Sequence, residues 1–463
     1  MKQKPNILFI QADQHRYDCV GRSADYPVQT PNLDRLAAEG AWFNEAYTPI
    51  PTCCPARQAL LNGRRPESFG ALWNYDNGLP IPALSPAEYS WPRELQQSGY
   101  RTAYFGKWHV NPNHGPEEYG FEHVVLDQEH NRFIQDKYGK LTYSNGFFGE
   151  PSPVPLEDTH THYMTAKCVE WLKEASISDE PWHVRLDFHA PHLPCRPAEP
   201  FASMYKPEEI PMWRSFGETF DNKPYIQKQM LRNWNIEHYT WEDWTRTVAL
   251  YYGFVSQVDH AVGLVLEMLD EAGLRENTIV VYTSDHGDMC GGHRMLDKHY
   301  VLYDDVVKVP LIVRWPGVID GNTICDQFVY NMLDLPPTLL EAADLQVPAF
   351  MQGQSLLPLF RNDISEPWRE YVMSTFNGQQ FGLYIQRMLR TKHWKYIWNP
   401  TDVDELYDLT HDPEELHNRI HDRTLADVIK DFRKNLYEEL KRVGDKSADG
   451  QWLRRQLIGG EKY

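Results

Sequence analysis

Four short β-type runs in this chain each stop at a cluster of polar, chemically capable residues. They are Asn6–Ile10 before Asp13, Arg101–Phe105 before Lys107, His183–Phe188 before His189 and His192, and Thr278–Thr283 before Asp285. Runs of this length and composition read as strands. Helical spacing lies between them, most clearly over Val248–Leu269, where Val255, Val258, Val262, Val265, Leu266 and Leu269 keep to one face. Leu33–Glu39 and Thr165–Lys173 are shorter candidates. Strands alternating with helices imply an α/β protein with a mainly parallel central sheet flanked by helices. In such sheets ligands bind beyond the carboxyl ends of the strands, where all four clusters fall.

The 463 residues, 41% hydrophobic and 24% charged, are enough for a large core. The α/β pattern runs over residues 1–355. It changes near Gly353–Pro367, and residues 356–463 read as a smaller α+β subdomain, with Arg390–Trp398 as a strand and Leu425–Val443 as a helix. Between Pro194 and Trp244 the chain is rich in Pro, Trp and Tyr without a steady period, which suits a long excursion over the ligand face. A net charge of −19 argues against a nucleic-acid or anionic-membrane partner, so the positive site for any anionic ligand must be local. The apolar run Ile7–Ile10 is too short for a signal-peptide core, and no run approaches a membrane span. Seven scattered cysteines do not form a disulfide framework. A cytoplasmic protein is expected.

The stretch "PTCCPARQALLNGRRP" (residues 51–66) sets Cys53 and Cys54 side by side. Adjacent cysteines can be two buried thiols, a vicinal disulfide or part of a metal site, although metal-binding pairs usually leave a gap. Cys53, Pro55 and Arg57 fit a CxPxR register, with Ala56–Asn62 as a helix and Gly63 as its stop. The start of such a helix favours an anion. "IQADQ" and "SDHGD" place Asp13, Gln14, Asp285 and His286 at two strand ends, a donor set suited to one divalent cation. Alone, "SDHGD" reads equally well as a turn with Asx capping. "GKWH" (Gly106–His109) and "HAPHLP" (His189–Pro194) are in isolation a lysine beside a packed tryptophan and a loop stiffened by prolines.

Taken together, the CxPxR motif, the short helix ending Asn62-Gly63-Arg64 and the other clusters in this order resemble the formylglycine-dependent sulfatases of the alkaline-phosphatase-like superfamily. "TPNLDRLAAEG" (30–40), "NMLDLPPTLLEAADL" (331–345) and "ELYDLTHDPEELHN" (405–418) extend the resemblance over most of the chain, but not over Cys195–Trp244. The resemblance implies that a formylglycine-generating enzyme oxidises Cys53 to formylglycine, while Cys54 fills a variable position. It implies one divalent cation, Ca²⁺, on Asp13, Gln14, Asp285, His286 and the position-53 oxygen. Gln14 stands where many members carry a second Asp, which leaves Mn²⁺ or Mg²⁺ open. By the same resemblance Arg57 activates the nucleophile, and Lys107 holds formylglycine and a sulfate oxygen. His109 hydrogen-bonds the formylglycine hydroxyl, His192 contacts the sulfate and the leaving oxygen, and Lys298 binds the sulfate. Val110-Asn111 departs from the usual Leu-Gly after "GKWH".

The expected activity is hydrolysis of a sulfate monoester, on a small ester or a terminal sulfated sugar. A phosphonate monoester or phosphodiester hydrolase with the same site is the alternative, followed by a silent sulfate- or glycan-binding protein.

Overall fold

The computed structural model describes residues 4–75, 83–361, 367–379 and 381–462. Among the described residues, ten strands precede residue 331: β1 (Asn6–Asp13), β2 (Ala41–Phe43), β3 (Ala46–Tyr47), β4 (Arg101–Gly106), β5 (His123–Leu126), β6 (Trp182–Pro191), β7 (Thr278–Ser284), β8 (Leu311–Arg314), β9 (Thr323–Cys325) and β10 (Val329–Tyr330). Eight of them form one sheet in the order β5-β4-β6-β1-β7-β8-β2-β9, and β3 pairs with β10. The four expected strands are the adjacent β4, β6, β1 and β7, all parallel. Only β8 runs against its neighbours. The sheet is therefore mainly parallel, as the alternation of elements requires.

Strand β1 is buried over its whole length, and its side chains alternate between two cores. Ile7 and Phe9 join one, and Leu8, Ile10 and Ala12 the other. A sheet covered on both faces needs apolar residues on both, so β1 reads as a continuous run rather than an alternation. The helix Trp241–Glu271 serves both cores in turn. Its first half contributes Val248, Tyr251 and Val255 to one, and its second half contributes Val258, Val262, Val265 and Leu269 to the other. It begins at Trp241, ahead of the expected Val248, because Thr240 and Asp243 form a reciprocal capping box there. The excursion before it is a series of short turns around one helix, Tyr225–Trp234.

The chain closes with an antiparallel sheet of β11 (Val372–Gln379), β12 (Gly382–Arg390), β13 (Trp394–Trp398) and β14 (Glu405–Asp408) in sequential order. The helix Ala426–Val443 covers one face through Ile429, Phe432, Leu436 and Leu440. One expectation is corrected here: Arg390–Trp398 is not a single strand. Arg390 pairs with Lys395 across a tight reversal, closed by the Thr391 N–H on the Trp394 carbonyl at 2.9 Å. The reversal uses Thr-Lys-His, with none of the Gly, Pro or Asn that announce a turn. The stretch Gly353–Pro367, where the pattern changes, lies partly outside the described residues. All seven cysteines are free and buried, which removes the vicinal-disulfide reading. No helix among the described residues is long and apolar enough to cross a membrane.

Gly106 shows how closely β4 and β6 approach at the ligand end. Its φ is +102°, and a Cβ there would lie 2.0 Å from the carbonyl oxygen of Asp187, the acceptor of the Lys107 N–H at 2.9 Å. Gly106→Ala is expected to cost about 2 kcal/mol or more through backbone strain and strand separation. A lowered urea midpoint together with reduced turnover checks it.

Candidate active site

The helix that carries the CxPxR motif runs from Cys53 to Asn62, is buried throughout, and stops at Gly63 with φ 69°. The Gly63 N–H closes it on the Ala59 carbonyl at 2.8 Å. It starts three residues before the expected Ala56, which puts Cys53 at the positive end of the helix. The two cysteines then face different surroundings. Cys53 Sγ lies 3.1 Å from His286 Nε2 and 3.8 Å from Asp13 Oδ1. Cys54 Sγ accepts from Gln58 Nε2 at 3.0 Å and lies 3.6 Å from the Val110 carbonyl oxygen. Of the pair, only Cys53 lines the main pocket at the carboxyl end of the sheet, a cavity of about 610 Å³.

One turn along the same helix, Arg57 is fully buried among three carboxylates. Nη2 donates to Asp13 at 2.9 Å, Nη1 to Asp187 at 2.9 Å, and Nε to Asp285 at 3.0 Å. Nη1 also meets the Lys107 carbonyl at 3.1 Å. The motif's arginine thus ties the nucleophile helix to β1, β6, the end of β4 and the turn after β7. Burial disfavours its charge, but Asp285, Asp13 and Asp187 outweigh that and raise its pKa well above the usual value.

Asp13, Cys53, Asp285 and His286 offer one ligand atom each, all within 4.8 Å of one another and all buried. His286 Nδ1 donates to the Gly287 carbonyl at 2.9 Å, so Nε2 is the atom left to face a cation. Two carboxylates and an imidazole, with the position-53 side chain beside them, fit one divalent cation. Burial opposes Asp13 ionisation, yet Lys107, His192 and Arg57 hold its carboxyl well below the usual range. Burial and the Asp13 charge push Asp285 up to about 6. Burial disfavours a charged His286, but Asp285 and Cys53 raise it to about 9. A divalent cation would take the place of that proton. Gln14, with left-handed φ of 68°, gives its backbone N–H to Asp285 Oδ1 at 3.2 Å. Its side chain turns to Asp288 at 2.7 Å and Asp297 at 3.0 Å, while its oxygen accepts from Lys298 at 2.9 Å.

The expected sulfate ligands reach the same pocket. Lys107 Nζ lies 2.6 Å from Asp13 Oδ2. Lys298 Nζ lies 2.7 Å from His192 Nε2, and His192 Nδ1 meets the Leu193 carbonyl at 2.5 Å. Burial disfavours charge on both lysines, but Asp13 and Cys53 raise Lys107, and Asp297 and Cys53 raise Lys298. Against burial and Asp13, Lys298, Lys107 and His286 hold the Cys53 thiol well below its ordinary value. Position 53 is thus a place where negative charge is stabilised. His109, also left-handed with φ 44°, lines the pocket with Trp108, Lys107 and Lys298, its ring edge-on to Tyr75 at 5.0 Å.

Several site residues were missed in the sequence. Asp187 accepts from Arg57, Tyr104 and Arg185. Its signal was the row His183, Arg185, Asp187 and His189, polar residues at alternate positions of one strand. Asp297 binds His299 Nε2 at 2.9 Å and the Gln14 amide. His293 lies elsewhere, stacked on Tyr303 at 4.0 Å and bonded to Glu218 at 2.8 Å. Replacing Arg57 by Met strands three buried carboxylates, an expected cost of about 3–5 kcal/mol. Arg57→Lys recovers only part, because an ammonium lacks the planar fork; urea midpoints of both variants measure it.

Residues 5–345 match the family model described as Sulfatase, and residues 291–442 match that described as N-sulphoglucosamine sulphohydrolase, C-terminal. The arylsulfatase of Clostridium perfringens is 29% identical over 97% of each chain. The N-acetylglucosamine-6-O-sulfatase of Bacteroides thetaiotaomicron is 25% identical over 96% of this chain and 88% of its own. The phosphonate monoester hydrolase SpPMH from Silicibacter pomeroyi shares the fold, with a TM-score of 0.83 at 22% identity and 96% of each chain covered. Since the first family model spans most of the chain and an arylsulfatase matches nearly all of it, the protein belongs to the sulfatase family of sulfuric ester hydrolases.

Proposed function

We propose that this sulfatase hydrolyses the sulfate monoester of a sugar, using formylglycine made from Cys53 by a formylglycine-generating enzyme, with one Ca²⁺ on Asp13, Gln14, Asp285, His286 and position 53. The observation that carries the reading is the position of Cys53. It opens a buried helix, touches His286 and Asp13, and shares its pocket with Lys107 and Lys298. The name of the Bacteroides relative supports a sulfated sugar as substrate class.

When bound, the cation supplies Lewis-acid polarisation and makes the nucleophilic oxygen more acidic. Formylglycine supplies that oxygen and a second geminal one, without which the residue could not release sulfate and regenerate itself. The chain's own residues do the rest. Arg57 fixes Asp13 and Asp285 behind the nucleophile, and Lys107 and Lys298 hold the sulfuryl oxygens and the charge that grows on them. Lys298 donates to His192 Nε2 at 2.7 Å, a contact that supports a proton donor at this wall for the departing alcohol oxygen. His109 takes the proton from the position-53 hydroxyl as sulfate leaves.

Mass spectrometry of the peptide holding both cysteines, from protein made with a formylglycine-generating enzyme, is expected to find an aldehyde at 53 and a thiol at 54. Thiols at both overturn the mechanism. Cys53→Ala is expected to lower kcat roughly 10⁴-fold or more. Chelation is expected to abolish turnover and Ca²⁺ to restore it. A kcat/KM higher for a phosphonate monoester than for any sulfate ester moves the primary substrate to phosphorus.

A further inference from the structure

His189 stands on the pocket wall three residues before His192, and nothing above gives it a role. Its ring lines the pocket beside Asp127, Gln128 and Phe147, and its side chain is 44% exposed against 25% for Asp127. Behind it lies a chain of three groups from three elements. His189 Nε2 is 2.7 Å from Asp127 Oδ2, and Asp127 Oδ1 is 2.8 Å from His160 Nε2. His189 lies on β6, Asp127 opens the helix Asp127–Tyr138 and His160 opens the helix His160–Ala175, so all three members of the relay are anchored by regular structure. The His160 and His189 rings meet edge to face at 4.8 Å.

The chemistry of the carboxylate fixes the tautomers. Asp127 stands between the two rings with one carboxylate oxygen on each Nε2. An ionised carboxylate only accepts, so both histidines present an N–H at Nε2. A neutral His189 then carries its lone pair at Nδ1, which has no protein partner among the described residues. The same three residues bring ligand atoms within 4.8 Å of one another. As a metal site they are poorly prepared, since both Nε2 atoms point a proton at the carboxylate. His160 Nδ1 is also buried without a partner, so no group behind the ring orients it as a metal ligand.

We propose that His189, set in one tautomer by Asp127 and His160, is the residue through which the pocket recognises a hydroxyl on the sugar that bears the sulfate, Nδ1 accepting the O–H. This rests on the sulfatase reading of the pocket. With sulfur at position 53, the alcohol part of the ester must lie against the walls. A hydroxylated ring satisfies Nδ1, whereas an aryl ester leaves it unpaired, and a site built to bond a hydroxyl discriminates against ligands that lack one. His189 is the recognising group; Asp127 and His160 are positioning residues.

The test uses the converted enzyme and the ratio of kcat/KM for N-acetylglucosamine 6-sulfate to that for para-nitrophenyl sulfate. His189→Ala is expected to lower this ratio about tenfold, through KM rather than kcat. Asp127→Asn is expected to lower it as well, because an amide can donate to Nε2 and force the proton onto Nδ1. His189→Gln, which keeps an acceptor, is expected to restore part of it. An unchanged ratio in both His189→Ala and Asp127→Asn overturns the proposal. So does a second equivalent of bound metal per chain, found by elemental analysis and lost in Asp127→Asn. Failure of the unmutated enzyme on both esters would instead sink the functional reading. In that event calorimetry of the same sulfated sugar on Cys53→Ala, with and without His189→Ala, still decides: equal affinities overturn the role of His189, and a weaker double variant supports it.

Discussion

One guanidinium sets the geometry on which the site depends. Arg57 is fully buried, and each of its three nitrogens reaches a carboxylate on a different strand or strand end. None of these groups could stay ionised alone in the interior. Together they support one another: Lys107 and Arg57 hold Asp13 ionised, Arg185 shares Asp187, and burial with the Asp13 charge pushes Asp285 up to about 6. His286, raised to about 9, carries a proton within the same cluster, where a divalent cation would take its place.

The nucleophile helix is held from outside the parallel sheet as well. Just before it, the carbonyls of Thr48 and Pro49 accept from Ser374 Oγ at 2.5 Å and the Thr375 N–H at 3.0 Å, both on β11. Just after it, Arg65 Nη1 donates to the Met373 carbonyl at 3.1 Å, and the Gly63 carbonyl accepts from the Gln352 N–H at 2.9 Å. The C-terminal sheet thus clamps both ends of Cys53–Asn62. It also reaches the lysine side of the pocket, where the Tyr300 hydroxyl, two residues from Lys298, donates to the Gly382 carbonyl at 2.9 Å. Position 53 is therefore as precisely placed as the antiparallel sheet is folded.

Residues at regular positions were legible in the sequence. A strand ending in Asp or Lys is a local pattern, so Asp13, Lys107, His192 and Asp285 could be placed at the ligand end before any contact was known, and Gly63 marked the helix stop by its own backbone freedom. Legibility failed where the signal was a contact rather than a pattern. Asp187 looks like the partner of Arg185 in its own strand until Arg57 arrives from a helix distant in sequence. The β12–β13 reversal has no turn residue to announce it. The partners of the Gln14 amide, Asp288, Asp297 and Lys298, all follow β7 and leave no mark in the sequence beside Gln14. The relay of Asp127, His160 and His189 draws on three separate elements, so no single stretch carries it.

The same division separates chemistry from recognition. The pocket floor is built on strand ends and one capped helix, buried and rich in charge, and rigid elements suit groups that must be placed to a fraction of an ångström. The rim comes from irregular chain. Phe147 stands edge-on to Trp234 of the excursion at 5.2 Å, and Trp234 to Phe381 of the β11–β12 hairpin at 5.7 Å. Three segments far apart in sequence thus meet at one edge of the pocket, with Phe147 half exposed. Loops on a fixed scaffold can change their side chains without disturbing the charge balance beneath them. On the proposed reading the floor dictates which bond is broken, and the excursion, the C-terminal hairpin and the histidine wall select the alcohol on the far side of that bond.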